Sequence, residues 1–386
     1  MHKKIGLILT GGGARAAYQV GVLKAIARLL PRTAPNPFAV VCGTSAGAIN
    51  AVALAMNAHH LRSGVKYLLS FWKGFRVENI YRSDPIGVFS NAGLWLAGLL
   101  LSILGINKLN HVSLLDNSPL KGLLGKTLPL NKIQESIDNG YLHALGITAS
   151  GYTSEHSVTF YQSEASIQPW KRAHRLGFPT QIEIKHLLAS SAIPFLFPAV
   201  RINREYFGDG SMRQIAPISS ALHLGAKKVM IIGMGQSRAA PPKRINVTNY
   251  PSLAQIAGHA LNSIFLDSME VDLERLRRIN HTVSLVHEER RLHTQLGQVD
   301  VLVIEPSQPL EAIAKRYASN LPWSIRFMLR GIGAMRSSGA NLVSYLLFEK
   351  GYCRALIEMG YQDAMKRKTE ILDFLNSDAD TKKVES

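Results

Sequence analysis

The chain opens on an apolar run, Ile5-Gly6-Leu7-Ile8-Leu9, which passes into Thr10-Gly11-Gly12-Gly13. A short apolar run bounded by turn residues predicts a buried strand, here Lys4 to Thr10. From Ala14 to Leu30 the apolar positions Ala17, Val20, Leu23, Ala27 and Leu30 recur near helical spacing, and Pro31 ends that helix. Phe38 to Cys42 repeats the strand pattern. Ala48-Ile49-Asn50-Ala51-Val52-Ala53-Leu54 then predicts a second helix, to about Asn57. Two strand–loop–helix units in succession imply a parallel sheet with helices packed on its faces.

Residues 85–107 contain no charged side chain. Their most apolar part, Gly93 to Ile106, is short for a bilayer span, and four glycines in the run weaken it as a helix. The reading is an interfacial lid or lipid-facing flap, with a buried hairpin and a membrane span as alternatives. Leu142–Thr148 and Ser157–Tyr161 read as strands. A helix from Ile182 to Ser191 leads into the rigid apolar loop Ala192–Pro198. A short strand, Glu205–Phe207, reaches Gly208-Asp209-Gly210. Pro217–Leu224 and Lys228–Ile232 form one more helix–strand step, and Val299–Ile304 a last strand. Residues 250–280 and Ser324 to about Leu375 read as helical. The expected layout is a core over 1–235, the rest of the core with a helical extension over 236–375, and a polar tail over 376–386.

Charge narrows the partners. Lys and Arg number 44 against 27 Asp and Glu, a formal net charge of +17. That balance favours anionic partners, nucleic acid or acidic lipid headgroups, although it also serves plain solubility. No nucleic-acid motif is present and basic residues are not interleaved with aromatics, so an anionic membrane surface is favoured and nucleic acid is not. Two cysteines, Cys42 and Cys353, support neither a disulfide framework nor a metal cluster. A reducing, cytoplasmic setting with peripheral attachment to the inner membrane is expected. The apolar run behind Met1-His2-Lys3-Lys4 is five residues long, which fits a first strand better than a signal peptide.

The candidate chemistry centres on Gly43-Thr44-Ser45-Ala46-Gly47, between the second strand and its helix. In that context G-x-S-x-G is a nucleophile elbow, with Gly43 and Gly47 allowing the tight turn and Ser45 exposed beside a helix N-terminus. A serine needs a base. The first acidic residue of the chain is Glu78, so the base comes from far downstream. Asp209, framed by Gly208 and Gly210 after a short strand, is the best candidate; an ordinary Asp-Gly turn is the bland alternative. A Ser-His-Asp triad is the competitor. His59 and His60, read as lying on the helix leaving the elbow, would be ~20 Å from Ser45. His186 and His223 fall within amphipathic helices. A dyad is therefore favoured. Gly11-Gly12-Gly13 and the amide of Ala46 supply candidate oxyanion donors, and Arg15 would bind an anionic headgroup or brace the loop. The same loop fits a G-x-G-x-x-A dinucleotide fingerprint. It lacks the acidic residue expected about 20 positions on, leaving only Arg32 to accept a 2′-phosphate.

With these residues in order, the chain resembles the patatin-like phospholipase family over about residues 4 to 235. Four blocks carry the resemblance: Gly11-Gly12-Gly13-Ala14-Arg15, Gly43-Thr44-Ser45-Ala46-Gly47, Ala189-Ser190-Ser191-Ala192-Ile193-Pro194 and Asp209-Gly210. The resemblance implies a three-layer α/β/α sandwich with a mainly parallel sheet. It implies lipid acyl hydrolysis by a Ser45–Asp209 dyad, an oxyanion site in the glycine loop, no cofactor and no metal. Two positions depart from the family pattern: Ala16 stands where a further glycine is usual, and Ser211 where Gly or Ala follows the Asp-Gly pair. An acyltransferase using the same acyl-enzyme, and a silent membrane-associated binding protein, are the alternatives. Homo-oligomerisation is left open.

Overall fold

A computed structural model describes residues 4–103, 113–235, 250–287, 297–336 and 339–377. The apolar runs form strands β1 (Ile5–Leu9), β2 (Phe38–Thr44), β3 (Ala144–Gly151) and β4 (Ser157–Ser163). They are followed by β5 (Trp170–Arg172), β6 (Arg175–Pro179), β7 (Val200–Ile202), β8 (Glu205–Asp209), β9 (Lys228–Ile232) and β10 (Asp300–Ile304). All ten join one sheet in the order β10-β9-β1-β2-β3-β4-β6-β5, with β8 on β3 and β7 on β8. From β10 to β3 the pairings are parallel; β4 and β8 run antiparallel to β3.

The strand residues divide between two cores. Leu7, Leu9, Val41, Met230 and Ile232 enter one; Ile8, Val40, Cys42, Val229 and Ile231 enter the other. Burial on both faces explains why these strands read as continuous apolar runs and not as an alternation. Helices α1 (Ala17–Leu29), α2 (Ala46–Ala55), α3 (Leu61–Lys73) and Lys350–Lys366 cover the first face. Pro217–His223 and Ser268–Leu285 cover the second. The molecule is thus the expected three-layer sandwich on a mainly parallel centre.

The C-terminal region is built into it. β10 extends the sheet at β9, and the helix Lys350–Lys366 lies directly on α1. Their backbones meet at two glycines. A Cβ at Gly21 would stand 2.0 Å from the Ile357 carbonyl oxygen, and one at Gly360 would stand 2.2 Å from that of Tyr18.

Three expectations change. Pro85–Ile103 forms a single helix, α4, despite Gly87, Gly93 and Gly98, because Val88 anchors it in the core and helix Trp323–Gly331 packs against it. No helix among the described residues is long and apolar enough to cross a membrane. The end of the uncharged run, 104–107, and the tail 378–386 lie outside the described residues. Helix α2 ends at Ala55, so His59 and His60 do not ride on it. His60 instead caps α3, its Nδ1 accepting the Ser63 N–H at 3.3 Å. The hairpin β5–β6, which extends the sheet beyond β4, was unassigned in the sequence.

Candidate active site

β2 carries its residues to the elbow. Ser45 takes φ 55° and ψ −130°, a strained conformation for a side chain, at the N-cap of α2. Both flanking glycines are required by contact. A Cβ at Gly43 would stand 2.5 Å from the Gly47 carbonyl oxygen, and one at Gly47 2.3 Å from that of Leu9. The turn is pinned from below. The Ser45 N–H donates to Ser190 Oγ at 2.8 Å, and that hydroxyl donates to the Thr148 carbonyl at 2.6 Å.

Register explains how Asp209 reaches Ser45 across 164 residues of chain. β2 pairs with β3 as far as Thr44↔Thr148. At the next position of β3, Ala149, the partner is Asp209 of β8. β8 therefore takes up the edge of β3 where β2 leaves it, and delivers its last residue to the elbow. Gly210 makes the junction possible: a Cβ there would stand 2.1 Å from the Thr148 carbonyl oxygen and 2.8 Å from Thr44 Cγ2.

Contrary to the exposed serine expected of the elbow, both side chains are buried, Ser45 at 1% exposure and Asp209 at 0%, because the apolar pocket and the glycine loop close over the turn. Burial pushes the Asp209 carboxyl up to about 6, and the Ser45 hydroxyl, the Ser211 N–H and the Ser211 hydroxyl pull it back. Oδ1 accepts the Ser211 N–H at 2.9 Å. Oδ2 is buried with no partner of good hydrogen-bonding geometry, so the Ser45 hydroxyl influences the carboxyl without a well-formed bond to it. A buried carboxylate beside a hydroxyl is placed to take its proton.

The glycine loop closes the site from the β1 side. Gly11 faces the Asp209 turn: a Cβ there would stand 2.5 Å from Ser211 Oγ. Gly13 has φ 55° and fits against the Tyr345 carbonyl oxygen, 2.3 Å from a hypothetical Cβ. Among the described residues, the N–H groups of Gly12, Gly13 and Ala46 donate to no described acceptor. Arg15 points away from the site. It is 2% exposed, donates to Ser344 Oγ at 2.8 Å, Tyr345 Oη at 3.1 Å and Asn341 Oδ1, and lies 3.9 Å over the Tyr345 ring. Of its two expected roles, bracing the loop is the one its contacts serve.

An apolar pocket runs from Ser45, Ala46 and Gly13 between Ile49, Trp72, Phe75, Phe197 and Phe348, with only about 30 Å³ of free space. A larger hollow of about 550 Å³, lined by Gln134, Tyr161, Glu164 and Pro179, lies apart from the Ser45–Asp209 pair. His186 is buried against Phe160, and burial pushes it down to about 4, while His223 stacks on Trp170. No cluster of three metal-ligating side chains exists among the described residues.

Several supporting residues had no role assigned from sequence. Ser190 lay inside a recognised block without a function. Gln19 and Asn50 are fully buried and link the loop to the elbow helix. Gln19 Nε2 donates to the Thr10 carbonyl at 2.9 Å, Asn50 Nδ2 to Gln19 Oε1 at 2.8 Å, and Trp72 Nε1 to Asn50 Oδ1 at 2.7 Å. Their signal was a polar side chain at an apolar helix position. Ser344, Tyr345 and Asn341 had none, because their partner Arg15 is over 300 residues away.

The patatin-like phospholipase family profile matches residues 7–222, more than half of the chain. A cGAMP-activated phospholipase of Pseudomonas aeruginosa (strain BWHPSA011 / Pa011) is 28% identical over 222 residues, 56% of this chain and 55% of that protein. The chain thus matches about half the length of that relative. Among solved structures, VipD from Legionella pneumophila aligns over 97% of this chain and 67% of its own, at 15% identity and a TM-score of 0.37. The type III effector ExoU aligns over 95% and 54%, at 11% identity and a TM-score of 0.32. Structural likeness at these scores carries no argument. The family match does, and it sets aside the dinucleotide reading of the glycine loop. The chain belongs to the patatin-like phospholipase family.

Proposed function

We propose that this protein is a serine lipid acyl hydrolase that cleaves phospholipid esters at an anionic membrane surface. The observation that supports it best is the fully buried Asp209 carboxyl beside the Ser45 hydroxyl, with Ser45 lining an apolar pocket. Asp209 takes the Ser45 proton as Ser45 Oγ attacks the ester carbonyl. The amides of the glycine loop and of Ala46 stabilise the tetrahedral oxyanion, helped by the N-terminus of α2. Collapse expels the lysolipid alcohol, which takes the proton from Asp209 and leaves an acyl group on Ser45. Water, deprotonated by Asp209, then attacks the acyl-enzyme, and collapse releases the fatty acid as Asp209 returns the proton to Ser45 Oγ. The apolar pocket holds the acyl chain, and the net charge of +17 favours anionic headgroups.

The test is fatty-acid release from mixed phosphatidylglycerol and phosphatidylcholine vesicles by wild type, Ser45→Ala and Asp209→Asn. Wild type releases fatty acid, and each variant falls by about 10⁴-fold or more. Retained turnover in either variant removes that residue from the mechanism. Ser45 labelling by a fluorophosphonate without fatty-acid release would move the acceptor from water to another alcohol.

A further inference from the structure

Helix α4 and the helix Trp323–Gly331 pack side by side and leave a joint aromatic face in water. The ring centroids of Phe89, Trp323 and Phe327 form a triangle with sides of 6.1, 5.7 and 5.9 Å. All three rings are exposed, at 41%, 58% and 56%, and Ile86, at 83%, extends the patch one turn back along α4. The underside is anchored. Val88, Ile325 and Leu329 are buried, and the Ser324 hydroxyl donates to the Ser83 carbonyl. Soluble proteins expose large apolar side chains singly; a contiguous cluster on rigid helices marks a contact surface.

Charge identifies what it contacts. No acidic residue occurs between Asp84 and Asp116, or between Glu311 and Glu349, the stretches of sequence that contain the two helices of the face. The second segment carries Lys315, Arg316, Arg326, Arg330 and Arg336. All but Arg326 are exposed, and none of the five is ion-paired among the described residues. An aromatic face whose own helix carries the exposed, unpaired Arg330 and no acid suits the headgroup layer of an anionic bilayer. Place agrees with chemistry. Ile80 lines the apolar pocket at Ser45, and α4 begins five residues later at Pro85.

We propose that this composite face docks the protein on anionic lipid bilayers, with the Trp323, Phe327 and Phe89 rings inserted among the headgroups. The proposal rests on the phospholipid-hydrolase reading for its purpose, but docking is measured without turnover. In the test, full-length Ser45→Ala protein is sedimented with vesicles of phosphatidylcholine, with and without phosphatidylglycerol. Adding Trp323→Ala and Phe327→Ala is expected to lower partition onto the anionic vesicles by about tenfold or more. Replacing Arg330 by Gln is expected to cost about fivefold at low salt, and little on neutral vesicles. The Trp323→Ala/Phe327→Ala pair, placed in the Ser45 enzyme, is expected to leave hydrolysis of a soluble short-chain ester unchanged, which controls for folding. Undiminished vesicle partition by that pair overturns the proposal. So does a lipid-free dimer that the pair converts to monomer, which would make the face an interface between two copies. Intact docking without any ester turnover would instead count against the hydrolase reading alone.

Discussion

Asp209 is fully buried, and its neutral form gains from that. Its carboxyl sits at about 6, against an ordinary 3.8. A base must be ionised to accept the Ser45 proton. We therefore expect kcat/KM to rise with pH through an acid limb near 6, measured on a soluble ester so that vesicle charge does not enter. The same shift has a stability sign. The folded protein holds this proton more tightly than the unfolded chain, so stability falls as pH rises from about 4 to about 6, and the loss is complete above that window. Asp209→Asn should then stabilise the protein at neutral pH, by up to ~3 kcal/mol, and the gain should vanish below about pH 4, where both states are protonated. Thermal melts at the two pH values check it. At this scale the sequence was most legible where glycines frame a reactive group, as around Ser45 and Asp209. It was least legible at Ser190 and Arg15, whose partners come from segments remote in the chain.

Elements meet where side chains are absent. Gly21 of α1 and Gly360 of Lys350–Lys366 let two helix backbones touch, and a methyl group at either would need the helices to part. Gly21→Ala should cost about 3 kcal/mol or more, read as a lower denaturant midpoint, while the pH profile of the folded enzyme stays in place. The core strands were readable because burial on both faces leaves an unbroken apolar run. The edge hairpin β5–β6 was not, since Lys171 and Arg172 are exposed and no apolar pattern marks the strands. α4 was misjudged on its glycines, because helix propensity yields to the packing of Val88 and of a neighbouring helix far along the sequence.

Across the described residues, β10 and the helices that follow it are built into the same sandwich as the candidate site. β10 shields β9, Lys350–Lys366 covers α1, and Ser344, Tyr345 and Asn341 satisfy a buried Arg15 that no carboxylate pairs. A chain ended at Val299 would leave that guanidinium stranded and β9 as an open edge. We expect it to be aggregated or unfolded and to show no fluorophosphonate labelling of Ser45. The resemblance of residues 4–235 to a known family said nothing of this dependence, since family motifs mark chemistry and not the buried partners behind them. The free space beside Ser45 has a consequence of its own. About 30 Å³ accommodates roughly a water molecule, so the resting protein has no room for a fatty-acyl chain. If that pocket takes the acyl chain as proposed, a lipid enters only when Trp72, Phe75, Phe197 and Phe348 separate, and the apparent affinity is divided by how seldom they do. Preference among chain lengths then measures the size of the opened state, while overall affinity measures its rarity.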